Sequence, residues 1–105
     1  MEVNVNEELF RRDAKFTLGQ VVATSGVKNL LERETLVPRY TIRFMLNRHV
    51  TGDWGEVGKE DWQTNDNAVE FGSRILSSYT VSGERVWIIT DASRSTTTML
   101  LPEEY

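Results

Sequence analysis

Apolar positions recur along this chain with two different periods, and the change of period separates helical from extended stretches. Lys15-Phe16-Thr17-Leu18-Gly19-Gln20-Val21-Val22-Ala23-Thr24 is rich in β-branched and apolar residues, which predicts a first strand with a break at Gly19. Val27, Leu30 and Leu31 then fall at i, i+3 and i+4, the spacing of one helix face. Thr24 or Ser25 can cap that helix, expected over residues 27–33. Pro38 suits the first turn of a second helix, where its missing N–H has no partner to lose. Ile42, Met45, Leu46 and His49 follow at i, i+3, i+4 and i+7 and define its buried face. Arg39, Arg43 and Asn47 mark a solvated one. After Gly52 and Gly55, a third and more polar helix is expected over 59–71, anchored by Trp62, Asn65 and Val69 and stopped by Gly72.

The period then changes to that of strands. Residues 74–81 and 84–90 flank Ser82-Gly83, a dipeptide suited to a tight hairpin turn. Asp91-Ala92-Ser93-Arg94 reads as the next turn. A third strand over 95–101 ends at Pro102, which has no N–H to extend a ladder. The expected class is α+β: a strand, two to three helices, then a three-stranded antiparallel meander with the helices on one face of the sheet. Residues 1–14 read as a polar, flexible lead-in, and 15–105 as a single domain with one core.

Composition narrows the chemistry. There is no cysteine among the 105 residues, so disulfides, thiolate metal sites and a cysteine nucleophile are excluded. No apolar run approaches the ~20 residues that span a bilayer, and the first residues lack the basic and apolar regions of a secretion signal. A cytoplasmic location is the expectation. The net charge of −4 counts against a dedicated nucleic-acid binder. Its distribution is uneven: five cations face two carboxylates from Lys28 to His49, and six carboxylates face one lysine from Val50 to Gly72.

The densest chemistry lies at that seam, in Arg48-His49-Val50-Thr51-Gly52-Asp53-Trp54-Gly55-Glu56. His49 titrates near neutral pH and could move protons; equally, a histidine in a last helical turn can bond free carbonyls. His49, Asp53 and Glu56 each offer a metal donor, but two glycines separate them and no helix fixes the three on one face. No metal or other cofactor is expected. Trp54 could present its indole to a partner or plug the core beneath a turn whose Asp53 bonds nearby amides. Arg94-Ser95-Thr96-Thr97-Thr98 offers guanidinium and hydroxyl donors of the kind a phosphate accepts, and its threonines are also ordinary strand residues. Glu60, Asp61, Asp66 and Glu70 give the third helix an acidic surface.

Four runs carry a family likeness: 15–24, 48–56, Arg74-Ile75-Leu76-Ser77-Ser78-Tyr79-Thr80, and the closing stretch from Val86-Trp87-Ile88-Ile89 to Leu101-Pro102-Glu103-Glu104-Tyr105. Together they resemble a family of small bacterial proteins found on plasmids and integrative elements. The resemblance implies a context, a mobile-element accessory protein inside a bacterial cell, and supplies no activity.

Three functional expectations follow. The first is a non-enzymatic binding module that contacts a host or element-encoded protein, for example in counter-defence such as anti-restriction or anti-CRISPR. Its binding surface would be Arg48, His49, Asp53, Trp54 and Glu56, with Arg94 if the 91–95 turn lies close. The second is a small metal-independent toxin-type ribonuclease, with His49 moving protons, Arg94 holding the phosphate, and Ser95 or Thr97 assisting. The third is a homodimer formed through an exposed sheet edge.

Overall fold

Ser82 and Gly83 both take positive φ (47° and 82°), the pair of left-handed residues that turns one strand tightly back on the next. They join β2 (Ile75–Val81) to β3 (Glu84–Thr90). β3 pairs antiparallel with β4 (Thr96–Leu100) through the turn around Asp91. The structure, a computed structural model, describes residues 13–105, so the expected lead-in lies almost wholly outside the described residues.

Before the meander come β1 (Gln20–Ala23), α1 (Ser25–Glu34), α2 (Pro38–Val50) and α3 (Lys59–Phe71). The α+β class therefore stands, but the sheet differs from a three-stranded meander. β1 adds to β4 in parallel, with Val21 opposite Thr97 and Ala23 opposite Met99, giving a mixed four-stranded sheet in the order β1-β4-β3-β2. The first strand is also shorter than its composition predicts. Gly19 takes φ +64°, and a Cβ there would stand 2.3 Å from the Ser95 carbonyl oxygen, so the chain reaches β4 only through a glycine turn.

The local signals hold where they are chemical. The Thr24 hydroxyl caps α1 by accepting from the Val27 amide, 3.3 Å away. Pro38 occupies the first turn of α2, and Gly72 ends α3 in the left-handed conformation. Alternation then puts Val21, Ala23, Tyr79, Val81, Val86, Ile88 and Met99 on one sheet face. Val27, Leu30 and Leu31 of α1 and Ile42, Met45, Leu46 and Val50 of α2 close that core.

α3 packs through Ala68 on Ile75 and runs at the β2 edge. Asn65 donates from Nδ2 to the Leu76 carbonyl (2.7 Å) and accepts from the Leu76 amide (3.2 Å). Farther along the same edge, the Ser78 amide donates to the Trp54 carbonyl (3.0 Å), and the Glu56 amide donates to the Ser78 carbonyl (2.7 Å). At Leu76 and Ser78 this edge is occupied, which protects it from pairing with another strand.

Candidate functional site

Segment 48–56 is fastened to β2 rather than swung out as a loop. Its backbone passes so close to β2 that a Cβ on Gly55 would lie 2.1 Å from the Ser78 carbonyl oxygen and 2.6 Å from the Tyr79 ring. Gly55 meets that approach with φ +75°. The fastening drives Trp54 inward, where it is wholly buried with Ala68 and Ile75, and its Nε1 donates to Asp66 Oδ1 (2.9 Å). The Phe16 ring stacks against it at 6.2 Å between centroids. Trp54 is therefore a core plug.

What remains outward is charged. Arg48 donates from Nε to Asp53 Oδ2 (2.7 Å) and from Nη2 to Asp53 Oδ1 (3.2 Å), a two-pronged pair. Asp53 Oδ1 also accepts from the Gly55 amide (3.2 Å), and the Tyr79 hydroxyl donates to the Asp53 carbonyl (2.6 Å). Arg48 lies 4.5 Å above the Tyr79 ring. The hydrogen bonds from Arg48 hold the Asp53 carboxyl below its ordinary range, and burial pushes the Tyr79 phenol well above its own. Glu56 accepts from the Thr80 hydroxyl (2.6 Å) and pairs with Arg85 Nη2 (3.4 Å).

His49 points the other way. It is wholly buried, and its Nδ1 and Nε2 lie 2.5 Å from Ser77 Oγ and 2.9 Å from Thr90 Oγ1. Counting protons fixes its tautomer. The Thr97 hydroxyl donates to the Leu18 carbonyl (2.7 Å), so in the 2.7 Å contact between Thr90 and Thr97 the donor is Thr90. Thr90 Oγ1 must then accept from Nε2–H, leaving Nδ1 to accept from the Ser77 hydroxyl. Burial, with a smaller contribution from the charge of Arg94, pushes the imidazole down to about 3, so it stays neutral at physiological pH. Its partners are side chains of the sheet, not the helix-end carbonyls its position had led one to expect.

Arg94 is committed to the backbone. Its Nη2 donates to the Ala68 carbonyl (2.8 Å) and its Nη1 to those of Ser73 (2.7 Å) and Asp91 (2.9 Å), stapling the end of α3 to the β3–β4 turn. Ser95 donates to Asp91 Oδ2 (3.1 Å), and Thr97 is buried in the His49 chain. The two regions do meet, through Phe16. Arg94 lies 5.4 Å over that ring, which also touches His49 edge-on at 5.2 Å.

Of the six residues expected to form the surface, Arg48, Asp53 and Glu56 are accessible together, whereas His49 and Trp54 are interior and Arg94 is spent on carbonyls. Sequence reasoning missed Phe16, Tyr79, Ser77, Thr90 and Arg85. One signal pointed to the hidden pair: Ser77 and Thr90 occupy inward positions of apolar strands, and His49 lies on the apolar stripe of α2. Buried polar groups need one another. Among the described residues no cluster of three His, Asp or Glu could hold a metal ion, and no helix is long and apolar enough to cross a membrane. Comparison with protein-family models, curated proteins and solved structures finds no match to this chain.

Proposed function

We propose that this chain is a non-enzymatic protein-binding module whose contact surface is the latched segment 48–56 together with Arg85. The observation that carries the proposal is the division of that segment: Trp54 is locked inside, while Arg48, Asp53 and Glu56 are held half-exposed on a backbone bonded to β2. A charged surface fixed before binding loses little freedom on contact and selects partners by charge complementarity. Exposed ion pairs of this kind contribute only ~0–1 kcal/mol to stability, so folding gives little reason to keep them.

The setting we propose, an accessory of a bacterial mobile element that contacts a host or element-encoded protein in counter-defence, rests on the resemblance of the sequence runs. The ribonuclease alternative finds less support, because its proton-moving residue is neutral and shut from solvent and its phosphate-holding residue is bound to carbonyls.

The test exchanges the charges without removing the pair. Arg48→Glu combined with Asp53→Arg keeps an ion pair and inverts the surface; because it removes the acceptor of the Gly55 amide, the protein should stay folded but melt a few degrees lower than the parent. Tagged protein recovered from a bacterial host should carry one stoichiometric protein partner, absent from the exchanged variant. Equal recovery of that partner by both forms sinks the surface assignment; recovery of RNA with cleaved ends and no protein sinks the proposal.

A further inference from the structure

The solvated face of α2 is not the polar one its arginines imply. Leu36 is fully open, and Val37, Tyr40 and Phe44 are 48%, 69% and 65% exposed. Tyr40 and Phe44 stand one helical turn apart, and Val37 begins the same stripe. Arg39 and Arg43 flank it, also one turn apart, and neither makes an ion pair with any described residue. An apolar stripe of this size on an exposed helix marks an interaction surface.

α3 carries the opposite sign. Glu60 and Phe71 lie eleven positions apart on one outward stripe, Glu70 borders Phe71, and Phe71 is 75% exposed. Glu60 and Glu70 make no ion pair among the described residues, and Lys59 is the only cation on the helix. Each face thus combines exposed aromatic surface with charge that no described residue pairs, positive on α2 and negative on α3.

We infer that the Leu36–Tyr40–Phe44 face of α2, with Arg39 and Arg43, docks on the Glu60–Glu70–Phe71 face of α3 in a second copy of this chain. Charge complementarity selects the occupant and the geometry. A symmetric pairing of α2 with α2 sets four arginines against one another, and α3 with α3 does the same with carboxylates. A head-to-tail contact of α2 on α3 instead sets opposite charges together, and it leaves one copy with a free α3 face and the other with a free α2 face. This contact uses neither Arg48 nor Asp53 and is independent of the proposed partner surface.

The experiment is sedimentation of the purified full chain over a range of concentrations and salt. Its mass should rise above that of one chain with concentration, and the association should weaken as salt screens the charges. Arg39→Glu with Arg43→Glu, and separately Glu60→Lys with Glu70→Lys, should each weaken association at least about tenfold while leaving the melting curve in place. Mixing the two variants in equal amounts should restore it, because each supplies the face the other has inverted. A parent chain that stays single at every concentration overturns the inference. So does association lost in the arginine variant but untouched in the glutamate variant, which would mean that α2 binds something other than α3. The Arg48/Asp53 exchange should leave self-association unchanged, so failure of this contact and failure of the partner surface remain separable.

Discussion

The side-chain amide of Asn65 stands beside Leu76 as a neighbouring strand would, giving one hydrogen bond to its carbonyl and taking one from its amide. A helix residue thereby closes a sheet edge. Asn65→Ala should cost about 2 kcal/mol, because both backbone groups of a half-buried residue lose their partner. Asn65→Asp should cost as much, since a carboxylate can accept from the amide but repels the carbonyl. Denaturant unfolding measures the loss, and hydrogen exchange should speed up at the Leu76 amide. Unchanged protection there would mean that the edge is held by something else.

His49 predicts a pH dependence with a definite sign. It is bound in its neutral form with a folded value of about 3, against an ordinary 6.5. The unfolded chain therefore takes up a proton that the folded one refuses, and stability falls as pH drops below 6.5 until the folded value is reached. Between pH 6.5 and 5, above the range in which the carboxylates titrate, the loss should be on the order of 1.5 kcal/mol. His49→Gln should be less stable at pH 7 but flat across this window. A parent chain that is equally flat would refute the buried neutral state.

Two glycines with similar positive φ should respond differently to alanine. Gly72 has open space where a Cβ would go, so Gly72→Ala should cost about 1 kcal/mol for the left-handed backbone alone. Gly55 has the Ser78 carbonyl in that space, so Gly55→Ala must also detach the latch, at roughly 3 kcal/mol. Equal costs from thermal unfolding would show that the latch contributes nothing.

Trp54 separates packing from recognition. Trp54→Ala should cost about 3–5 kcal/mol, the ordinary penalty for emptying a large buried aromatic site. Asp66→Ala removes only the acceptor of the indole N–H and should cost about 1 kcal/mol. Melting temperatures of the two variants give the ratio. A Trp54→Ala protein that folds normally would put the indole at the surface and reopen its role as a contact.

What could be read from the sequence was what neighbours in the chain decide. Thr24 as a cap, Pro38 in a first turn, Gly72 at a helix end and Ser82-Gly83 in a hairpin each follow from the chemistry of a few adjacent residues. The parallel partnership of β1 with β4 is different: alternation shows that a strand has two faces but not which strand lies beside it. The site suffered in the same way. The crowding of useful groups in 48–56 was visible, yet the direction each one points depends on Ser77, Thr90 and Ser78, far along the chain. The open face of α2 is half legible, since the spacing of Arg39 and Arg43 marks it as solvated while nothing in the pattern singles out Tyr40 and Phe44 beside them.

β4 lies between β1 and β3, so the first strand of the sheet is joined to the rest only by the last. A chain lacking the residues beyond Thr96 has nothing to bridge β1 to β3. Long-range closure of this kind is slow and leaves apolar surface open while it waits. The sheet is therefore completed only when Thr96–Leu100 takes its place between β1 and β3.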